Sequence, residues 1–333
     1  MSIPQLVPSA YDFENIGAFS EMQPLNIAET LEAISSSRLS TYRSMFAPAN
    51  DLELYGIYCW NESVSNGFST LLATVEITLR NGFHREMSKR YGTPIGGPNT
   101  HWYDFLDLSL KSAAKIAEVR GHYRWRRYAP NPGDIVSGLS FGFWKHLLDV
   151  THATDGSAVP LNDILTDLLP NHRDSSVTYW AKQANQDKFY SRLETAWDMR
   201  NRIAHHEPIW KFGALMEERR WRHRYRPTQV RQRPTSVAQC LDRMNLTYNR
   251  CFELLHWLSS HREGDYKASP NHHKMKYLMS AKAIADYKSF STTRDMTLLG
   301  IRRMMKARTP LEQIIYLRHQ GQPTAVILPW MVF

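Results

Sequence analysis

The chain has 333 residues, 42% of them hydrophobic, and is therefore long enough to bury the core of one large domain or two smaller ones. It contains no apolar run of about 18 residues or more, and its first residues lack the apolar core of a signal peptide, so we expect neither a membrane span nor a signal peptide. The formal net charge of +9 at pH 7 favours a polyanionic partner such as nucleic acid, although many soluble proteins are also basic.

Amphipathic helices dominate the predicted secondary structure. After a mixed, Ser-rich segment, apolar residues recur at three- and four-residue steps over 61–91, which predicts a long helix that stops at Gly92. Later helices are predicted over 102–119, after an N-cap at Asp134, from about Asn185 to Glu207 before Pro208, and after an N-cap at Ser236 with Gln239 as its capping-box partner.

This pattern is typical of a mainly α fold, a helical bundle with a small C-terminal α+β extension. We divide the chain into an N-terminal extension over 1–50, a helical domain over 51–263 and a C-terminal module over 264–333. The segment "HREGDYKASPNHH" has the composition of a linker between the last two parts. The β-branched run in the final "QPTAVILPWMVF" follows a Gly/Pro turn signal and predicts a strand.

The three cysteines, Cys59, Cys240 and Cys251, are spaced neither like a metal site nor like a disulfide framework. The sequence therefore predicts a protein of the reducing cytoplasm. It predicts no metal and no other cofactor.

The segment "DMRNRIAHHEPIW" (198–210) concentrates chemically useful side chains at the end of a predicted helix. On an ideal helix Arg200 falls on the apolar stripe of Phe189 and Leu193, and a desolvated guanidinium needs a partner. We therefore expect Arg200 to pair with a buried carboxylate or to face a cleft or another subunit. His205 and His206 lie in the last turn, where the helix dipole favours the imidazolium form and keeps a histidine ready to exchange protons near neutral pH.

An arginine and histidines in one turn are suited to cleavage of RNA by its own 2′-hydroxyl, without a metal. Arg200 and His205 are about 140° apart on an ideal helix, so they converge on one phosphate only if the helix end unwinds or two copies meet. The alternative is a polar helix end in which Arg200 forms a core salt bridge with Glu76 or Glu194.

The same segment resembles the R-N-x-x-x-H motif of HEPN domains, which are helical-bundle ribonucleases, and its doubled histidine resembles the Abi-like (abortive infection) branch. Two further stretches resemble that branch: "YCWNESVSNGFSTLLATVEITLRN" (58–81) resembles its first long helix, and "GDIVSGLSFGFWKHLL" (133–148) its "LSFGFW" helix. The three ordered motifs fall within roughly residues 51–260.

The resemblance implies a homodimer whose motif helices face each other and form one composite active site. It implies catalytic roles for Arg200, Asn201, His205 and His206, supporting roles for Glu76, Arg80 and Asn81, and a toxin-like ribonuclease that acts in antiviral defence. Some HEPN domains only bind, so a non-catalytic RNA- or nucleotide-binding protein is the alternative. His84 follows Arg80 one residue too early for the motif, and Glu76 and Arg80 are spaced to pair along their own helix.

Two basic segments mix arginines with aromatic residues, a combination that can hold phosphates and stack bases. The candidate RNA-binding residues are Arg124, Arg126 and Arg127 in "RGHYRWRRY" (120–128), and Arg219, Arg220, Trp221, Arg222 and Tyr225 in "RRWRHRYRPTQVRQRP" (219–234). The alternative is that both segments are solvated charged loops.

The C-terminal "LRHQGQPTAVILPWMVF" (317–333) resembles the end of Phd/YefM-type antitoxins, and "MSAKAIADYKSF" (279–290) is loosely compatible with the opening segment of that family. The resemblance implies either an antitoxin-like module fused to the toxin-like domain or a DNA-binding autoregulator. A separate antitoxin is a further partner that it implies. The alternative is a plain C-terminal strand or packing arm.

Overall fold

A computed structural model describes residues 24–92, 99–125, 129–289, 293–296, 299–300, 303, 314–319 and 322–327. The fold is mainly helical, as predicted. The described residues divide into two compact units, one from residues 1–60 and 282–332 and the other from residues 61–281. The predicted border at 263 falls inside the helix Ser260–Lys267, whereas the helix Asp51–Arg90 begins directly after the predicted border at 50.

The bounds of the secondary-structure elements in the described part of the chain are as follows. The helices are α1 Ile27–Ile34, α2 Ser36–Phe46, α3 Asp51–Arg90, α4 Leu110–Gly121, α5 Pro132–Gly138, α6 Phe141–His146, α7 Leu161–Leu168, α8 Val177–Trp180, α9 Gln183–Ala204, α10 Val237–Leu258, α11 Ser260–Lys267, α12 Pro270–Leu278 and α13 Ala281–Lys288. The strands are β1 Leu215–Met216, β2 Gln229–Arg231, β3 Thr293–Met296, β4 Ile314–His319 and β5 Gln322–Ile327. Strands β1 and β2 are antiparallel, whereas β3 is parallel and β5 antiparallel to the central β4.

The long helix predicted over 61–91 is confirmed, but α3 begins ten residues earlier, at Asp51. Asn50 starts it, because its Oδ1 accepts the backbone N–H of Glu53 at 2.9 Å. The predicted apolar stripe is buried, with no member more than 1% exposed: Val64, Phe68, Leu71, Leu72, Val75, Leu79 and Phe83. This face of α3 forms the centre of the second unit's core.

Two predicted helices are shorter than expected. The one predicted over 102–119 consists of a 3₁₀ turn, Trp102–Phe105, and then α4, whose N-cap is Ser109. The next helix begins at an N-cap on Asn131 instead of Asp134, because Asp134 is the third helical residue and closes a capping box back to Asn131. It ends at Gly138, and a second short helix, α6, follows.

The prediction of a linker over 261–273 is wrong. Ser259 and Ser269 cap α11 and α12, so both helices form within the polar segment. Tyr266 and His272 are buried, and each lies 3.1 Å from the Tyr248 hydroxyl of α10. A polar composition is therefore compatible with core packing here, because the buried polar atoms bond to each other.

The predicted C-terminal strand is confirmed as β5, which with β3 and β4 forms a small sheet. The segment 279–290, compared above with an antitoxin opening, contains helix α13. Within the first unit, the Lys288 ammonium of this helix pairs with Glu53 of α3 at 2.8 Å. The small α+β extension is therefore present in the described residues.

Candidate functional site

Helix α9 ends in a Schellman motif at the predicted cluster. The N–H of Glu207 donates to the Arg202 carbonyl at 2.8 Å, and the N–H of His206 donates to the Ile203 carbonyl at 3.0 Å. His206 occupies the left-handed position of this motif, with φ of 53°. Glycine is the usual residue there, and a residue with a Cβ costs roughly 1 kcal/mol more. The backbone conformation at position 206 therefore favours glycine, although the residue there is a histidine.

The chain that leaves this turn is fixed from α3. Asn61, only 5% exposed, accepts the backbone N–H of Ile209 on its Oδ1 at 3.2 Å. Ile209 and Trp210 are themselves buried, after Pro208 has stopped the helix as predicted. Sequence reasoning missed Asn61, although a polar residue on the apolar face that carries Val64 was a usable signal.

Arg200 is exposed, so its predicted place on the buried stripe is wrong. The buried side of α9 runs through Phe189, Leu193, Ala196 and Met199, and Arg200 is rotated about 100° beyond the last of these. Its side chain makes no hydrogen bond or ion pair with any described residue.

The alternative core salt bridge of Arg200 is likewise not formed. Glu194 lies 3.6 Å from the Lys145 ammonium instead, and Glu76 makes no ion pair within 4 Å among the described residues. Of the two expectations for Arg200, pairing with a buried carboxylate is therefore wrong, and a place facing a cleft or another subunit stays a prediction.

The other motif residues also lie at the surface. His205, the helix C-cap, and His206 are exposed, whereas Asn201 is half-buried and accepts the His205 N–H on its carbonyl at 2.9 Å. The His205 imidazole has no partner among the described residues. The helix remains regular to Ala204, so in one protomer Arg200 and His205 point about 140° apart.

Glu76 of α3 lies within the electrostatic reach of Arg200. Burial raises the pKa of the Glu76 carboxyl, and the charges of Arg200 and Arg80 oppose this shift without reversing it. Arg80 does not pair with Glu76 as predicted, because its Nη1 donates to the Ser137 carbonyl at 3.5 Å. The Arg80 Nε is buried without a hydrogen-bond partner among the described residues. Glu76, Arg80 and Arg200 thus interact through their charges but form no ion pair with one another. We call these three residues the Glu76 cluster.

Of two neighbours of this cluster, His84 has a structural role. Asn81 is exposed, whereas His84 accepts the Trp102 indole N–H at 2.9 Å and lies 3.0 Å from the Asn99 amide oxygen. His84 therefore connects α3 to the 99–102 segment through these two hydrogen bonds.

Helix α6 packs tightly on α9. A Cβ on Gly142 would lie 3.0 Å from the Trp197 indole nitrogen, so a larger residue would require the Trp197 ring to shift. The Lys145 ammonium lies 3.6 Å from the centre of the Trp197 ring, a cation–π contact for a buried lysine. These contacts fix the helix that carries Arg200.

The second basic segment is largely engaged within the protein. Arg219 and Arg222 bind the fully buried Asp187 of α9 at 3.1 and 2.7 Å. The Arg220 Nη2 donates to the Asp149 Oδ2 at 2.9 Å. Burial raises the pKa of the Asp187 carboxyl, but the hydrogen bonds from Arg222 and Arg219 outweigh it and lower this pKa overall. We call this group the Asp187 cluster (Asp187, Arg219 and Arg222); these arginines hold a loop in place and are poor candidates for RNA binding.

Of the remaining candidates in the basic segments, some are bonded within the protein and others are exposed. The Tyr225 hydroxyl donates to Glu217, whereas Trp221 is 63% exposed. Arg124 is exposed on the first segment, next to Trp125 with 90% exposure. The other two candidates of that segment, Arg126 and Arg127, lie outside the described residues.

In the described part of the chain, no three His, Cys, Asp or Glu side chains are placed to hold a metal ion, and Cys59, Cys240 and Cys251 form no disulfide. None of the described helices combines the length and apolar character needed to cross a bilayer. Comparison with protein-family models, curated proteins and solved structures gives no match to the chain. The resemblance to the Abi-like branch of HEPN domains therefore stays a prediction.

Proposed function

We propose that this protein is a metal-independent endoribonuclease of the abortive-infection type, with Arg200 and His205 in its active site. The observation that carries the proposal is that both side chains are exposed near the end of α9 and make no hydrogen bond or ion pair with a described residue. Beside Arg200, burial raises the pKa of the Glu76 carboxyl, and titratable groups with perturbed pKa values are concentrated at functional sites. Asn201 and His206 belong to the same turn.

The proposed reaction is attack of an RNA 2′-hydroxyl on the adjacent phosphorus. Of the two imidazoles in the turn, His205 and His206, one accepts the hydroxyl proton while the bond from phosphorus to the 5′ oxygen breaks. The other gives a proton to that leaving oxygen. The products are a 2′,3′-cyclic phosphate and a free 5′-hydroxyl, so no added water is consumed. The Arg200 guanidinium donates to the phosphate oxygens that gain negative charge in the transition state.

Two copies of the chain complete the proposed site. Because Arg200 and His205 point in different directions in one protomer, the arginine of one copy and the histidine of a second must share the phosphate. A two-fold axis beside the ends of the two α9 helices satisfies this requirement. Glu76 then helps to orient Arg200 by charge attraction, without a direct hydrogen bond.

The test is cleavage of a single-stranded RNA in the presence of EDTA. Wild-type protein should leave 2′,3′-cyclic phosphate ends, and Arg200→Ala or His205→Ala should lower the rate by about 10³-fold. Arg224→Ala is the matched control, since Arg224 is equally exposed and lies outside the turn. Failure of the wild type to cleave, together with salt-sensitive RNA binding, would support the non-catalytic alternative.

Mixing the two inactive variants tests the shared site. A dimer of one Arg200→Ala copy and one His205→Ala copy retains one arginine and one histidine on different protomers. Activity should return on mixing if these two side chains act on the same phosphate. A mixture that stays inactive, although cross-linking shows mixed dimers, would place each site within a single protomer.

We further propose that the C-terminal module resembles an antitoxin in function as well as in sequence, and binds DNA. Strand β5 forms in the segment that resembles Phd/YefM antitoxins, and β3 and β4 complete its sheet. A promoter-fragment shift that is lost on truncation after Ser289 would support this. An earlier cut would be uninformative, because buried His272 and Met275 belong to the second unit. Full DNA binding by the truncated chain would refute it.

A further inference from the structure

Arg243, on the buried side of α10, is a cation that no described residue neutralises. It is only 8% exposed, and its Nε and Nη1 are buried without a hydrogen-bond partner among the described residues. The Phe212 ring lies 5.3 Å from its guanidinium carbon and offers a favourable face but no acceptor for the N–H groups. Burial, and then the charges of Arg250 and Arg231, lower the pKa of the Arg243 guanidinium. These two arginines add positive charge near Arg243.

Four acids, Glu194, Asp198, Glu217 and Glu218, line a cavity together with Arg243, and none of them forms an ion pair with it. Glu218 binds Arg192 and lies 3.5 Å from Arg250, while Glu217 accepts the Tyr225 hydroxyl. Asp198 makes no ion pair with Arg243, and burial together with the charge of Glu194 raises the pKa of the Asp198 carboxyl. Nothing in the described chain therefore supplies the anion that a buried guanidinium needs.

Arg243 lines two cavities. The smaller has a volume of about 160 Å³ and is also lined by Arg231, Arg233 and Gln239. Arg231 and Arg233 are exposed and make no ion pair with a described residue, and Asp242 is the only acid among the lining residues. Gln239 belongs to the first turn of α10, a 22-residue helix whose N-terminal end adds partial positive charge. Three guanidinium groups beside a helix start suit an anion with several oxygens.

The larger cavity, of about 290 Å³, adds aromatic surface. Phe212 and the largely exposed Trp221 line it, together with the Thr195 hydroxyl. Aromatic faces stack bases of any identity. Because Arg243 lines both cavities, a phosphate in the smaller one and a base in the larger one lie within the reach of a single nucleotide.

We propose that Arg231, Arg233 and Arg243 form a binding site for the phosphate group of a nucleotide, supplied either by a free nucleotide or by an RNA chain. The site is separate from the turn with Arg200 and does not depend on nuclease activity. Arg202, which lines the larger cavity, belongs to the last turn of α9. Helix α9 therefore carries both the motif and part of the wall of the larger cavity.

The test is calorimetric titration of the full-length protein at low salt with inorganic phosphate, 5′-AMP and a short 2′-O-methyl RNA. The 2′-O-methyl groups remove the nucleophile, so cleavage plays no part in the result. Arg243→Met should weaken binding at least about tenfold. Arg224→Met removes the same charge from an exposed position outside both cavities, and should change the affinity less than about twofold.

The outcomes separate the sources of the phosphate. Tighter binding of 5′-AMP than of the RNA identifies a free nucleotide, and the reverse identifies an RNA chain. If Arg243→Met fails to fold, the double variant Arg231→Ser, Arg233→Ser changes only exposed residues and should show the same loss. The proposal is overturned if no probe binds the wild type, if these variants bind like the wild type, or if Arg224→Met loses as much affinity. Each of those results leaves the nuclease proposal standing.

Discussion

The Asp187 cluster and the Glu76 cluster contain the same chemical groups, one carboxylate and two arginines, in opposite states. Asp187 receives direct hydrogen bonds from Arg219 and Arg222, and its pKa is lowered. Glu76 receives none from its two arginines, and its pKa is raised. The difference shows that opposite charge nearby does not offset burial unless bonds form. We therefore regard the first cluster as structural and the second as available to a ligand.

The largest effect on stability is expected from Asp187→Ala, which leaves two arginines without their shared partner. We expect a loss of about 3 kcal/mol in the free energy of unfolding, measured by urea denaturation. Glu62→Ala, at an exposed position on α3, is the control and should stay within about 0.5 kcal/mol. Equal stability of the two variants would mean that the loop does not depend on these ion pairs.

A smaller effect with a defined pH dependence is expected from Asp187→Asn. The folded-state pKa of Asp187 is below the usual aspartate value of 3.8, so its carboxylate stabilises the fold above that pH, and the contribution is lost as the pH falls through the folded-state pKa. The wild type should exceed the variant by about 1–2 kcal/mol at pH 7. Urea curves that keep this gap down to about pH 3 would contradict the assignment.

Glu76→Gln should act in the opposite direction. The folded-state pKa of Glu76 is above 4.5, so its favourable contribution exists below the unfolded pKa and is lost as the pH rises through the folded one. At pH 7 the variant should be as stable as the wild type or up to about 1 kcal/mol more stable. A clear loss of stability at pH 7 would show that Glu76 is bonded in the folded protein, and would remove the contrast with Asp187.

The smallest effect is expected from Arg200→Ala. An exposed arginine without a partner should change the free energy of unfolding by less than about 0.5 kcal/mol. The neighbouring Met199→Ala, at a position only 2% exposed, should lose about 2 kcal/mol or more. Comparable losses in the two variants, seen in thermal or urea unfolding, would mean that Arg200 serves packing.

Local signals in the sequence were reliable where the partners are close in the chain. Pro208 stops α9, Ser236 caps α10, and the apolar face of α3 is buried, as predicted. Gln239 departs from the predicted capping box only in its side chain, which accepts from Thr235 instead of Ser236. Such features depend on contacts within a few residues, which spacing alone can express.

Partners distant in the chain could not be predicted. The arginines at 219 and 222 look like an RNA-binding patch until Asp187, more than 30 residues earlier, is seen to hold them. Arg200 was misplaced because an ideal helical wheel does not show which neighbours pack on α9. The same signal, a cation within an apolar stripe, did fit Arg243, which lies beside Cys240 and Met244 and is truly buried. Only the packing of neighbouring helices separates the two cases.

The left-handed backbone at His206 offers a way to separate scaffold from chemistry in the terminal turn. His206→Gly keeps the turn and relieves its strain, so the variant should fold at least as well as the parent. Any function that disappears in it must then have required the ring itself. Few polar positions allow the side chain to be deleted while the main chain is favoured, and this one directly follows His205.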